Sequence, residues 1–349
     1  MPTRRLLAFD WLRGLVVLLM VHAHTGFLLQ PEVQAQKLWR WCNFTHGLVF
    51  PTFLFVAGFF FALRASREPL GVAFKRQLRL LGIAVLLNGV WFRFATHLRW
   101  VLRLDVLGCI ALSLLLLLPA VYGLARMPRL RVVALGLLAL GCFGLGPWSA
   151  NVDGFWAFLF STRSGSLFPL LPWAGHAAVG AAAGAFLAAR GGLGDADNLD
   201  VTLLATAAFG TLVWVAGPAL AQLYGPHEYW RTGPGPHGER WALVAWLAHG
   251  LCVWDRRGVA PRGLEKFFAW LGAKSLWLYA IHLTLLTLRF GEFSVASRWP
   301  GSLSFSEGFG IALGLLVTSV LLTALMDQVM RRWRPPRFGA PRAATLNSG

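Results

Sequence analysis

The chain has 349 residues, of which 56% are apolar and only 13% carry a charge. Soluble domains normally carry about 25% charged residues, so this composition excludes an ordinary cytosolic or secreted domain. A formal net charge of +17 would suggest a nucleic-acid partner in a soluble protein. Here the basic residues lie in short loops between apolar runs, so lipid headgroups explain most of them and we expect no nucleic-acid partner.

Ten apolar segments are long enough, or nearly so, to cross a hydrocarbon layer of about 30 Å. They cover residues 7–28, 45–63, 79–95, 104–125, 132–148, 167–188, 201–223, 241–254, 267–288 and 308–329. Two amphipathic stretches, 68–78 and 153–163, are expected to lie at the membrane interface. The sequence therefore predicts an all-α, polytopic membrane helical bundle with about ten transmembrane helices. We expect one domain over residues 1–330 and a basic, disordered tail over 331–349.

The distribution of basic residues predicts the orientation of this bundle. With ten spans and a cytoplasmic N-terminus, the cytoplasmic segments hold about twice as many Lys and Arg residues as the opposite side. Because cytoplasmic loops of membrane proteins carry such an excess, both termini are predicted to be cytoplasmic. Nine or eleven spans would place one basic terminus outside. The four cysteines are scattered without metal-binding spacing and are interpreted as packing thiols.

Ionisable residues in the first segment, FDWLRGLVVLLMVHAH, are the most informative, because charge within a span is costly. Helical geometry places Asp10, Arg13 and His24 on one stripe, with Arg13 and His24 about 20° apart. His22 falls on the opposite face and is interpreted as interfacial or structural. The stripe predicts a continuous route through the bundle from a cytoplasmic anion site to the outer half. The alternative is that Asp10 neutralises Arg13 at the interface and His24 packs as a neutral group.

Other polar residues are predicted at the two ends of this route. His46 opens the second segment at the same depth as His24. The basic loop that follows carries Lys75, Arg76 and Arg79. These residues either anchor the loop on the cytoplasmic side or bind a polyanion such as a nucleotide-bearing cofactor.

The ninth segment, WLGAKSLWLYAIHLTLL, presents polar residues on one helical face. Ser275, Tyr279 and His282 follow one another at i, i+4 and i+7. His282 lies about fourteen residues from the cytoplasmic entry, which predicts that it reaches the outer half with His24 and His46.

The remaining candidates have simpler interpretations. In the sixth segment, Gly180 and Gly184 predict close helix packing, and His176 continues their small-residue face. His249 is interpreted as a satisfied core histidine, and Asp105 as a helix cap or a site residue. Three histidines are placed in loops as weak candidates: His97, His227 and His237.

The sequence resembles the transmembrane acyltransferase superfamily. FDWLRG, with a histidine eleven residues after the arginine, is similar to the first helix of that group. THGLVFPTFLFVAG followed by FKRQLRLLGI is similar to its next two helices. Two further segments favour one branch of the superfamily, the bacterial relatives of heparan-α-glucosaminide N-acetyltransferase. They are LFPLLPWAGHAAVGAAAG and LGAKSLWLYAIHLTLL. The resemblance covers about residues 7–290, and its short motifs are specific mainly through their order.

The resemblance implies a membrane-embedded acyltransferase. Such an enzyme moves an acyl group, expected to be acetyl, from cytosolic acyl-CoA to an amine or hydroxyl of a sugar-type acceptor at the membrane or its outer face. It implies acyl-CoA as co-substrate and no metal. The expected partners are membrane lipid, acyl-CoA and a sugar or glycan acceptor. The resemblance is also compatible with a homodimer of this chain. The expected location is the bacterial inner membrane, as a multi-pass protein.

By this resemblance, His24 matches the first-helix histidine of many members, and Arg13 matches the arginine of the RG pair. The animal lysosomal enzyme carries asparagine where this chain has His24. Its proposed catalytic histidine lies in the following loop, where this chain has no match and His46 is nearest. The catalytic candidates are therefore His24, His46, His282 and Asp10, and the candidates for acyl-CoA binding are Arg13, Lys75, Arg76, Arg79, Ser275 and Tyr279. A histidine could act as a general base or be acylated itself.

A proton-coupled transporter or permease is the alternative function, because buried His and Asp suit it equally well. It would show flux without dependence on CoA. The sequence has no convincing internal repeat and no pair of interrupted helices in matched halves, which counts weakly against transport. A non-catalytic scaffold is the third alternative, and it would tolerate the loss of Asp10, Arg13 and His24.

Overall fold

The computed structural model describes residues 6–92, 101–149, 151–161, 166–258, 261–288 and 294–332. Within these ranges the chain is a bundle of α-helices, seven of them long and apolar enough to cross a membrane. Leaving out single turns, the helices are α1 Leu7–Ala23, α2 Lys37–His46, α3 Val49–Arg64, α4 Leu70–Phe92, α5 Val106–Leu118, α6 Pro128–Ser149, α7 Leu170–Ala189, α8 Ala196–Ala221, α9 Pro234–Arg257, α10 Arg262–Ala273, α11 Ser275–Thr287 and α12 Phe305–Arg332. The all-α polytopic bundle is confirmed, and the number of spans stays a prediction.

The prediction that Lys75, Arg76 and Arg79 lie in a loop is wrong. Helix α4 runs without a break from Leu70 to Phe92 and includes most of the stretch 68–78, whose position at the membrane interface stays a prediction. No proline interrupts these residues, so backbone hydrogen bonding continues from the basic turns into the apolar ones. The basic side chains of the predicted loop are therefore carried on the same rigid helix as the apolar span. Residues 93–95 of the predicted span, His97 and the tail from 333 onward lie outside the described residues.

The ninth predicted span is also corrected, because it consists of two helices that meet at Lys274. Lys274 caps both α10 and α11 with φ −105° and ψ 10°. Its Nζ lies 2.5 Å from Asp327 Oδ1 on α12, and Arg331 contacts the other oxygen of that carboxylate at 2.8 Å. The ion pair holds the junction against α12 and fixes where α11 starts.

Two further helices differ from expectation. Helix α9 begins at Pro234, so His237 is not in a loop, as predicted, but buried in its first turn. Proline at the start of a helix loses no hydrogen bond, and this allows the Gly- and Pro-rich stretch to become helical. Helix α2, which ends at His46, was not predicted at all, because its mixture of polar and aromatic residues lacks the length of a span.

Close packing of α3 on α7 confirms the small-residue interpretation of the sixth segment. A Cβ atom on Gly180 or Gly184 would overlap the backbone oxygens of Phe55 and Phe59, and a Cβ on Gly58 would overlap that of Ala177. The backbones of the two helices therefore touch directly, as in small-residue membrane interfaces.

Helix α1 lies at the centre of the bundle, against α3, α9, α10, α11 and α12. Gly14 packs against the backbone of Phe268, and Gly272 packs against the backbone of Asp10, so α10 approaches α1 as closely as its backbone allows. Other helices therefore surround α1 on most sides, and its polar residues face the interior of the bundle.

Candidate active site

A cavity of about 450 Å³ opens between α1, α3, α4, α5 and α11. Apolar side chains such as Phe53, Val56 and Ile110 form most of its wall. Its polar residues are concentrated at two places along its length. A pocket of this size, with an apolar wall and a few convergent polar groups, is the usual form of a ligand site.

One end of the cavity is lined by four arginines, Arg13, Arg64, Arg76 and Arg79. They come from the first half of α1, the last residue of α3 and the first half of α4, which meet at the same end of the bundle. Arg64 lies close enough to Arg13 and Arg76 to interact electrostatically with both. Lys75 is exposed and does not line the cavity.

Two carboxylates hold part of this arginine cluster in place. Asp10 forms an ion pair with Arg13, as the i, i+3 spacing predicted, and Glu68 contacts Arg76 at 2.5 Å. Arg13 Nε is buried and has no hydrogen-bond partner in the described part of the chain. Asp10 lies fourteen residues, about 21 Å, before His24 along the helix, so the structure does not bring it together with the histidines.

The other end of the cavity is formed by Met20 on α1, Leu107 on α5 and Tyr279 on α11. Met20 lies seven residues, or about 10 Å, beyond Arg13. The Tyr279 hydroxyl donates to Asp105 Oδ2 at 3.1 Å, and Asp105 Oδ1 accepts from the Gly108 amide at 2.7 Å. Asp105 is thus both the cap of α5 and the partner of a residue in the cavity wall.

His24 and His282 form a pair one helical turn past this end. His24 Nδ1 lies 2.8 Å from the Met20 carbonyl and 3.2 Å from His282 Nε2, and His282 Nδ1 lies 2.7 Å from the Leu278 carbonyl. A carbonyl only accepts, so each Nδ1 carries a proton in the neutral ring. The unprotonated nitrogen of His24 is therefore Nε2, a nitrogen able to act as a base.

His22 and His46 form a second pair on the opposite side of α1. His22 Nδ1 and His46 Nε2 are 2.8 Å apart, and His46 Nδ1 lies 3.4 Å from Asn43 Oδ1. The Asn43 amide oxygen only accepts, so His46 Nδ1 donates to it and His46 Nε2 accepts from His22 Nδ1. Trp39 packs on both imidazoles at 5.5 Å between ring centres.

His46 is close enough to both His22 and His24 to interact electrostatically with them. The two pairs therefore lie near the same end of α1, and the predicted common depth of these histidines in the membrane stays a prediction. The predicted continuous route is shown only in part: the cavity runs from the arginines to Met20, and His24 does not line it.

Sequence reasoning left the places of three residues in this site undecided. Arg64 was not among the candidates for acyl-CoA binding, and it lines the cavity because α3 extends to this residue. The link from Asp105 to Tyr279 joins residues 174 positions apart. His22 was interpreted as interfacial or structural, because it lies on the face of α1 opposite Arg13. The structure packs α2 against that face and pairs His22 with His46.

Comparison with known protein families identifies one that matches most of the chain. The family described as heparan-alpha-glucosaminide N-acetyltransferase, catalytic, matches residues 5–227, well over half of the chain. The chain belongs to this N-acetyltransferase family. Membership supports an acetyltransferase enzyme embedded in a membrane by its apolar helices. No curated protein matches the chain.

The N-acetyltransferase match contains α1 to α8 and ends before α9. It therefore includes the arginine cluster, His22, His24 and His46. Ser275, Tyr279 and His282 lie beyond it on α11 and complete the cavity and the histidine pair from outside the matched range.

Proposed function

We propose that this protein transfers an acetyl group from cytosolic acetyl-CoA to an amine or hydroxyl of a sugar-type acceptor at the outer side of a bacterial inner membrane. The observation that carries the proposal is the cavity itself, with four arginines at one end and a pair of hydrogen-bonded imidazoles just beyond the other. The positive-inside distribution of basic residues assigns the arginine end to the cytoplasm.

The arginine end would bind the phosphates of CoA. Guanidinium groups form charge-assisted, two-pronged hydrogen bonds with phosphate oxygens, and a cluster of four is suited to a nucleotide with several phosphates. Asp10 and Glu68 hold Arg13 and Arg76 in position and leave the cluster with a net positive charge. The narrow apolar part of the cavity would take the thioester arm towards Tyr279.

The imidazole end would carry out the chemistry. His24 Nε2 would remove the proton of the acceptor as its nitrogen or oxygen attacks the thioester carbon. The carbon–sulfur bond breaks as the new bond forms, and the departing CoA thiolate takes up the proton that His24 removed, giving CoA with a free thiol and restoring the neutral imidazole. His282 would hold the His24 ring through Nδ1, and His46 with His22 would stand beside the acceptor.

A two-step route uses the same groups. In that route His24 Nε2 attacks the thioester and carries the acetyl group before the acceptor attacks it. The direct route requires acceptor for CoA release, whereas the two-step route releases one equivalent of CoA without acceptor.

The test uses the full-length protein in lipid nanodiscs with acetyl-CoA labelled in the acetyl group. We expect labelled product and CoA release with glucosamine or an aminosugar-containing glycan as acceptor. His24→Ala should lose at least about 100-fold in kcat, the usual contribution of a general base. Full activity in a folded His24→Ala protein would reject the assignment, and acetyl-CoA binding without any transfer would reject the proposed function.

A further inference from the structure

A second cavity, of about 210 Å³, shares no lining residue with the cavity of the candidate active site. It is a groove between α6 and α8, and its floor is formed by small residues of α7 that include Ala182 and Ala183. Leu140 and Phe209, in its two walls, are exposed. All three helices are long and apolar enough to cross a membrane, so this lateral groove opens sideways towards lipid.

The interior of the lateral groove is apolar and unfilled. The hydroxyls of Thr202 and Thr206 donate to carbonyls one turn earlier on α8, and the Trp241 indole N–H donates to the Thr206 carbonyl. A Cβ atom on Gly136, in the α6 wall, would meet no atom within 4 Å. The side chains that line the groove therefore offer hydrocarbon contacts and no free hydrogen-bond donor, which suits an apolar occupant.

The length of the lateral groove corresponds to one leaflet of a bilayer. Its α6 wall runs from Val132 to Leu140, about 12 Å along the helix, which is less than half of a hydrocarbon core of about 30 Å. Helix α6 begins six residues after Tyr122, whose ring lies 5.9 Å from that of Phe61, near the end of α3 that carries Arg64. The groove thus lies in the half of the bundle that the positive-inside distribution assigns to the cytoplasm.

Arg190 lies at the cytoplasmic mouth of the lateral groove. Its guanidinium carbon is 5.4 Å from the ring centre of Phe186, which lines the groove from α7. Its Nε donates to Asn198 Oδ1 at 2.8 Å, and the Asn198 amide donates back to the Arg190 carbonyl at 2.8 Å. Asn198 precedes Thr202 of the groove by one turn of α8. Arg190 is therefore held between the α7 and α8 sides of the mouth.

Arg129 lies at the same mouth on the α6 side. It precedes Val132 by three residues and Gly136 by seven, so helical geometry places it on the face of α6 that lines the groove. Arg129 and Arg190 are exposed, and neither forms an ion pair with any carboxylate that the structure describes. Two cations at headgroup level beside an apolar groove are complementary to a phosphate that carries a hydrocarbon chain.

We propose that the lateral groove binds an anionic phospholipid of the cytoplasmic leaflet. One acyl chain lies along α7 between α6 and α8, and the phosphate lies between Arg129 and Arg190. The proposal is independent of the proposed acetyl transfer, because its test measures lipid binding and needs no acetyl-CoA.

The first experiment measures lipid binding to the delipidated, full-length protein in mild detergent by native mass spectrometry. The probes are phosphatidylglycerol, phosphatidylcholine with the same chains, and glycerol 3-phosphate, which has no chain. We expect the wild type to bind one phosphatidylglycerol at least about tenfold more tightly than phosphatidylcholine, because each arginine near a headgroup contributes about fivefold. Glycerol 3-phosphate should bind at least about tenfold more weakly than phosphatidylglycerol. Arg129→Gln and Arg190→Gln should each lose about fivefold for phosphatidylglycerol and bring the two lipids closer together.

The matched control for the arginines is Arg332→Gln, because Arg332 is an exposed cation at the end of α12, which packs on α1 and α11. It should keep the wild-type preference. An unchanged preference in folded Arg129→Gln and Arg190→Gln, or an equal loss in Arg332→Gln, would overturn the proposal. Glycerol 3-phosphate binding as tight as that of phosphatidylglycerol would assign the arginines to a free phosphate and would also overturn it.

The second experiment fills the lateral groove. Gly136→Phe places a ring in its open space and should weaken phosphatidylglycerol binding at least about tenfold. Gly141→Phe is the matched control, because an added Cβ there also meets no atom within 4 Å and Gly141 does not line the groove. Phosphatidylglycerol should raise the unfolding temperature of the wild type and Gly141→Phe, and have little effect on Gly136→Phe. Equal binding by folded Gly136→Phe and Gly141→Phe would overturn the proposal.

The same spectra report the number of chains in each particle, which tests the other occupant of such a groove, a second copy of this protein. Each lipid-bound wild-type chain should carry its phosphatidylglycerol whether it is monomeric or dimeric. If Gly136→Phe converts a dimer into a monomer and leaves phosphatidylglycerol binding unchanged, the groove is an interface between two copies and the lipid proposal is overturned. The arginine variants change only exposed side chains, so the test does not depend on the folding of Gly136→Phe.

Discussion

His24 Nδ1 and His282 Nε2 are 3.2 Å apart, although 258 positions separate the two residues in the chain. His24 caps the end of α1, and His282 is completely buried on α11. A helix from outside the matched family range therefore determines the orientation of the imidazole at the end of the first span. This dependence can be measured separately from substrate binding.

Replacing His282 by Phe should lower kcat by about 10- to 100-fold and leave the KM for acetyl-CoA nearly unchanged. The ring of His24 would lose one of the two acceptors of its Nδ1 proton, and a misplaced base transfers protons slowly. His282→Gln keeps an oxygen able to accept that proton and should recover part of kcat. Steady-state kinetics with both variants checks this. Equal losses in the two variants would indicate a packing role for His282 instead.

Replacing Arg79 by Gln should raise the KM for acetyl-CoA by about tenfold, with a smaller effect on kcat. Arg79 lines the cavity, and removal of one charged donor to a phosphate weakens binding by roughly this factor. The KM of the wild type should also rise with salt more steeply than that of the variant.

The matched control for Arg79 is Arg67→Gln, because Arg67 is exposed in the same basic region and does not line the cavity. A similar rise in KM for both variants would mean that the general positive potential of this face, and not the cavity, attracts the donor. Lys75→Gln is expected to resemble Arg67→Gln for the same reason.

Replacing Asp105 by Ala should lower the free energy of unfolding by about 1 kcal/mol or more, because the Gly108 amide at the start of α5 loses its cap. Asp105→Asn keeps an oxygen for that amide and should lose less. Thermal unfolding in a mild detergent compares the two variants. If both are as stable as the wild type, the cap does not contribute measurably to stability.

Replacing Gly180 by Ala should destabilise the protein by about 1–3 kcal/mol, because the added methyl group would overlap the Phe55 carbonyl and push α3 away from α7. Gly141→Ala is the matched control: no atom lies within 4 Å of the added Cβ, and alanine favours the helix. We expect a lower yield and a lower unfolding temperature for Gly180→Ala only. Equal behaviour of the two variants would contradict direct backbone contact at Gly180.

Local features of the site could be predicted well from the sequence. The ion pair of Asp10 and Arg13 depends only on helical spacing, and the close approach of α7 depends only on the absence of side chains at Gly180 and Gly184. The break at Lys274 could not be predicted, because its partner Asp327 lies 53 positions away on another helix. His237 was misplaced for a similar reason: proline and glycine suggested a loop, and burial against His176 favours a helix.

The sequence by itself determined that the chain is a membrane bundle, which of its residues are ionisable within that bundle, and which family of enzymes it resembles. These follow from composition, helical period and the order of short motifs, all of which are local. Only the tertiary structure decided which histidines pair, which arginines face the cavity, and that α6 and α8 leave a groove between them. Such contacts join helices distant in the chain, and the rotation of each helix about its axis is set by packing against its neighbours.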